Sequence, residues 1–166
     1  MIVRQATIKD LPGILELLRE FHKESLDAFG FSVDEAVTTI LINKFYITSF
    51  VLETEGKIVG VLGGQVVTYP LNNELLYQEM VWFVNKKYRM HGIRLFKKLE
   101  EYCHANGIKK IGIALMVNSK ADKLEKFYER MGFEYLEKHF IKSLNGGLPH
   151  AKDRNRNIAP AGREEA

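Results

Sequence analysis

Cysteine is all but missing from this chain. Cys103 stands alone among 166 residues, which excludes an internal disulfide framework and a cysteine-built zinc cluster. Its place in a helical apolar pattern makes it a packing residue rather than a nucleophile, and no metal site is expected. Long apolar runs are missing too, and none approaches the roughly 20 residues of a membrane span. The opening MIVRQATIKDL carries charge where a secretory leader needs apolar residues. The expected setting is therefore cytoplasmic and reducing, with no membrane partner. An excess of one charge is also absent: a net +3 without a basic stripe gives nucleic-acid binding little support. What is present is 46% apolar and 11% aromatic residues, enough for one domain with a proper core.

Residues 2–6 read as a short first strand. Thr7 and Asp10 have the spacing of a capping box, after which Leu11, Ile14, Leu15, Leu18 and Phe21 recur at helical intervals. Residues 25–31 read as a loop, and a second helix is expected over 34–44 with Val37, Ile40 and Leu41 inward. Residues 50–54 and 57–67 are β-branched runs separated by Glu55-Gly56, a hairpin signal. Gly60, Gly63 and Gly64 predict a strand that bends or meets another backbone closely. A turn at 69–73 leads to a long fourth strand over 74–84.

Residues 92–105 carry the strongest helical pattern, with Ile93, Phe96, Leu99 and Cys103 on the apolar face and Asn106-Gly107 as the stop. A near-continuous apolar strand is expected over 110–117. A helix over 119–131 follows, with Leu124, Phe127, Tyr128 and Met131 on one side and Gly132 as its stop, and 133–144 reads as mostly strand. Strand–helix–strand units imply parallel pairing late in the chain, and the hairpin implies antiparallel pairing earlier. The class is α/β (α+β): a mixed, twisted sheet with helices on both faces. Residues 1–144 form the expected domain. Residues 145–166, rich in glycine, asparagine and charge, read as a flexible tail.

The segment from Val84 to Leu95 leaves a strand, makes a basic loop and enters a helix. A helix start offers amides without internal partners and a partial positive charge, which suits phosphate oxygens. Gly92 removes a β-carbon where a ligand would approach, and Lys86, Lys87, Arg89 and Arg94 raise the local potential. The same pattern describes a helix with a solvated basic first turn.

With these residues in view, the chain resembles the GNAT acetyltransferases. Their fourth strand ends in a loop of the form Arg/Gln-x-x-Gly-x-Gly/Ala that grips the pyrophosphate of coenzyme A, matched here by Arg89, Gly92 and Arg94. VRQATIKDLPGILEL is similar to the family's first strand and helix, and FYERMGFE, from Phe127 to Glu134, to its last helix and following turn. The resemblance spans about residues 2–144. It implies the GNAT fold, with six to seven strands, and acetyl-coenzyme A as co-substrate. The residues implied at the coenzyme are Phe83, Val84, Arg89, Met90, His91, Gly92, Ile93, Arg94 and Leu95. Met90 stands where many members have a second glycine and Arg94 where they have a small residue; phage-encoded relatives also carry larger residues in this turn. Arg94 is expected to swing out and pair with phosphate oxygens.

Acyl transfer from a thioester to an amine needs a neutral amine, a stabilised oxyanion and a proton for the departing thiolate. The resemblance implies that Tyr128 supplies that proton; read alone, a tyrosine on an apolar helix face is equally a packing residue with its hydroxyl at the rim. Ala121 stands where the family often has an asparagine. Glu79 is the one carboxylate well inside the fourth strand, and the family often places a base there. Burial would raise its pKa into a useful range. Period-two alternation puts Glu79, Val81 and Phe83 on one face, the alternative being an outward-facing glutamate. Glu24, Asp27, Asp34 and Glu35 cluster near the expected acceptor wall, either to attract a cationic amine or as a solvated loop and helix start. The expected activity is direct acetyl transfer in a ternary complex to a small-molecule or peptide amine, with a homodimer as a candidate assembly. The alternative is a non-catalytic binding or assembly module of the same fold.

Overall fold

The computed structural model of the chain describes residues 1–26, 34–69, 72–116, 121–137, 139 and 144. They fall into two compact units, Met1–Glu24 with Val33–Ala114, and Ser25–Ser32 with Leu115–Ala166.

The first unit is built on a five-stranded sheet in sequential order: β1 (Ile2–Gln5), β2 (Phe50–Thr54), β3 (Lys57–Thr68), β4 (Leu75–Val84) and β5 (Lys110–Gly112). The first four strands pair antiparallel, and β4 and β5 pair parallel. The β2–β3 turn holds Glu55 at φ 49° and Gly56 at φ 73°. Two successive positive φ values match the right-handed twist of the flanking strands.

One face of the sheet is covered by α1 (Leu11–Ser25) and the other by α3 (Gly92–Ala105). Ile14 and Leu17 of α1 pack on Ala6, Val51, Val61 and Phe83, with Leu18 and Phe21 beside them. On the other side Phe96 of α3 stacks on Trp82 at 5.6 Å, and Tyr102 meets Phe50 edge-on. Leu95 and Leu99 are fully buried; each such side chain contributes about 1.5–3 kcal/mol over its exposed state. Cys103 is buried among them, and desolvation pushes its thiol up to about 11. The start of α1 is fixed from three directions. Asp10 accepts hydrogen bonds from the Thr7 N–H at 2.7 Å and its hydroxyl at 3.0 Å. Arg4 of β1 grips both Asp10 oxygens, at 2.7 and 2.8 Å, and reaches Glu53 of β2. This guanidinium holds the Asp10 carboxyl down at about 2.

Several expectations need correction. The described residues hold five strands rather than six to seven. The strand expected over 110–117 pairs only over Lys110–Gly112, because β4 and β5 part beyond Gln78. Residues 133–137, 139 and 144 carry no strand; residues 138 and 140–143 of that expected strand lie outside the described residues, as do 27–33 and the tail at 145–166. The second helix exists, as α2 (Glu35–Phe45) capped by Asp34, but Val37, Ile40 and Leu41 are exposed. Ile42 and Tyr46 are the residues that reach the α1-side core, so the buried stripe lies on a different side of the helix.

In the second unit α4 spans Ala121–Arg130, with Leu124, Phe127, Tyr128 and Met131 half-buried. It ends at Gly132, whose φ of 86° lets its N–H reach the Glu129 carbonyl and that of Phe133 reach the Tyr128 carbonyl.

Candidate active site

The pairing of β3 with β4 skips a residue: Gly63 opposes Val81, Gly64 opposes Glu79, and Met80 is left over. Such a bulge re-aims the side chains next to it. Val81 and Phe83 stay with the α1-side core, while Glu79, ahead of the bulge, shares the face of Tyr77 two residues before it, which corrects the expectation that all three share one face. Gly64 makes the bulge possible. A β-carbon there would lie 2.3 Å from the Gln78 carbonyl oxygen and 2.9 Å from the Tyr77 ring. Tyr77 is itself fully buried and donates to the Thr48 carbonyl at 2.6 Å, its pKa pushed far up by burial.

Glu79 is only 8% exposed. Burial raises its carboxyl to about 7, against the opposing effect of the Ala114 N–H, which donates to Oε2 at 3.1 Å. The bond sits where the β4–β5 ladder has just ended at Gln78 and Gly112. Beyond it, residues 81–84 of β4 pair with β3, and no β5 pairing is found for them among the described residues.

A 3₁₀ turn, Lys86–His91, joins β4 to α3. His91, the N-cap of α3, places no side-chain hydrogen bond on the helix start, and the Gly92 N–H donates to the Arg89 carbonyl of the 3₁₀ turn. Phe83, Val84 and Leu95 are buried, which restricts them to backbone contacts with any ligand; Met90 is 80% exposed. Arg94 turns outward and donates to the Met1 carbonyl at 3.4 Å, so it does not crowd the turn. A β-carbon on Gly92 would meet Val84 and Trp82 at 3.5 and 3.6 Å. Gly92→Ala should therefore melt like the parent, since those are ordinary contact distances. Gly92→Val adds branches against Trp82 and should cost about 1–3 kcal/mol in a urea titration.

A family model for the acetyltransferase (GNAT) domain matches residues 17–148. The chain belongs to the GNAT acetyltransferase family.

Solved structures share its fold. An aminoglycoside acetyltransferase from an uncultured soil metagenomic sample, crystallised with trehalose, is 23% identical, with a TM-score of 0.68 over 86% of this chain and 95% of that one. A tetramutant of the BH1408 protein of Bacillus halodurans is 19% identical, with a TM-score of 0.70 over 87% and 100%. A ribosomal-protein-alanine N-acetyltransferase of Brucella melitensis biovar Abortus 2308 is 14% identical, with a TM-score of 0.68 over 86% and 98%. No curated protein sequence matches.

Among the residues of this GNAT chain predicted for catalysis, Glu79 lies in the first unit and Tyr128 in the second. The Tyr128 ring contacts Phe127 and Phe133, each at 5.9 Å between centroids. The acidic cluster expected at the acceptor wall is largely committed to structure. Glu24 pairs with Arg89, Glu35 pairs with Arg19 at 2.7 Å, and Asp34 caps α2 by accepting from the Val37 N–H at 3.0 Å; Asp27 lies outside the described residues. Among the described residues, no group of three or more His, Cys, Asp or Glu side chains could hold a metal ion, and no helix is long and apolar enough to cross a membrane. Sequence reasoning passed over Asn85, whose Oδ1 accepts from the Lys87 N–H at 3.2 Å to cap the 3₁₀ turn. An asparagine directly after a strand and before a basic turn is a capping signal.

Proposed function

We propose that this GNAT chain transfers an acetyl group from acetyl-coenzyme A to a primary amine, directly, within a ternary complex. The observation that carries the reading is Glu79: a carboxyl buried in β4 at the point where β4 and β5 part, raised to about 7. At neutral pH such a group is poised to take a proton from an ammonium acceptor, directly or through water. When bound, the coenzyme would supply the activated acetyl thioester. The start of α3 and its 3₁₀ turn, residues 89–95, fit its pyrophosphate, and the stretch of β4 past Gln78, where the β5 pairing has ended, fits the amide-bearing arm. Val84 and Phe83 would act there through the backbone. Tyr128 would hold the proton that the departing thiolate takes up. With Cys103 buried and its thiol raised, direct transfer is favoured over a cysteinyl intermediate.

The acceptor class is an amine, small or peptidic, acting in the cytoplasm. Incubating the chain with acetyl-coenzyme A and a panel of aminoglycosides, polyamines and amino-terminal peptides tests this. A mass gain of one acetyl group on an amine, with matching release of free thiol, is expected. Coenzyme binding with no transfer to any amine, and no thioester hydrolysis, would instead favour a binding module built on the same fold.

A further inference from the structure

Two pairs of side chains tie α1 to the turn that precedes α3. Asn85 Nδ2 donates to Glu20 Oε2 at 3.1 Å, and Arg89 Nη2 pairs with Glu24. Glu20 and Glu24 are one helical turn apart, so their carboxylates stand on one stripe of α1. Asn85 opens the 3₁₀ turn and Arg89 lies within it. Each loop side chain also holds its own backbone. Asn85 Oδ1 accepts from the Lys87 N–H, and Arg89 Nε donates to the Val84 carbonyl at 3.4 Å. Both residues therefore work twice, once on the local chain and once on α1. The amide of Asn85 is suited to this because it accepts and donates at once; an aspartate would keep the cap and set a second carboxylate against Glu20.

We infer that Arg89 and Asn85 are positioning residues: with Glu24 and Glu20 they clamp the turn in the shape that presents the start of α3 to the coenzyme pyrophosphate. The Arg89 guanidinium thus serves the turn rather than the phosphates. The inference rests on reading this turn as the coenzyme site. Half-exposed ion pairs add little to global stability, whereas holding a binding loop in its bound shape removes an ordering cost from association. The clamp should therefore show in ligand affinity and not in the melt.

The test is a double-mutant cycle on coenzyme A affinity, read by calorimetry, with Glu24→Ala, Arg89→Ala and both. Each single change should weaken binding about fivefold or more, and the double no further than the worse single. The KM for acetyl-coenzyme A should rise while kcat and the melting temperature hold. Asn85→Asp should also weaken binding, and adding Glu20→Gln, which exchanges amide and carboxylate across the contact, should restore it. The inference is overturned if Arg89→Ala weakens binding while Glu24→Ala leaves or improves it, or if the two losses multiply. A folded parent that binds no coenzyme A would sink the coenzyme reading instead. The clamp is then decided by amide hydrogen exchange over residues 86–93, faster in both single variants if it holds the turn and unchanged if it does not.

Discussion

Replacing Tyr128 by phenylalanine should lower turnover at least a hundredfold, about 2.7 kcal/mol of transition-state stabilisation, while leaving the melt where it was. The ring contacts to Phe127 and Phe133 do not need the hydroxyl, and α4 keeps its half-buried face. Coenzyme affinity should persist as well, because the proposed phosphate contacts lie in residues 89–95. The loss should fall on kcat and on kcat/KM alike, the mark of an interaction made only in the transition state. Thioester hydrolysis or transfer to any good amine serves as the assay. Normal turnover in the variant removes Tyr128 from the mechanism, and an early melt with proportionate loss makes its hydroxyl a structural group.

Glu79→Gln should produce two effects of opposite sign. Turnover falls about a hundredfold or more, because glutamine cannot take the ammonium proton. Stability rises in neutral and alkaline solution. The carboxyl is raised in the folded chain from 4.5 to about 7, so folding favours its protonated form. Its contribution to stability is full below pH 4.5, is lost as pH rises through 7, and above that leaves a standing penalty on the order of 3 kcal/mol. Glutamine removes the penalty and still offers an oxygen to the Ala114 N–H. The variant should melt higher than the parent at pH 8 and alike at pH 4. In the parent, kcat/KM should climb with pH to a plateau above about 7, and that limb should vanish from the residual activity of the variant. A parent rate that is flat from pH 6 to 8 would contradict the assignment.

Local signals carried much of this fold into view. The Thr7–Asp10 box, the Glu55-Gly56 turn and the Gly107 and Gly132 stops are set by residues close in sequence, and each stands as expected. The errors lie where partners far along the chain decide. The bulge at Met80 depends on how β3 and β4 count residues against each other, so simple alternation carried Glu79 onto the face of Val81 and Phe83. The inward face of α2 depends on which core it meets, and the residues that reach it are Ile42 and Tyr46. β5 stops after Gly112 although apolar residues continue and β4 runs on to Val84, so its length is set by where the two strands part and not by its own residues. In the candidate site, the strand–loop–helix from Val84 to Leu95 was legible from turn and helix-start chemistry. The contacts of Arg89 with Glu24 and of Asn85 with Glu20 were not, since each joins residues 65 apart in sequence.

The account stands most directly on coenzyme binding, and titrating acetyl-coenzyme A into the full-length chain by calorimetry tests it without an acceptor. A saturating heat of one ligand per chain, weakened in the Arg89→Ala and Glu24→Ala variants alike, is the predicted result. No heat at millimolar acetyl-coenzyme A from a cooperatively folded chain would contradict it.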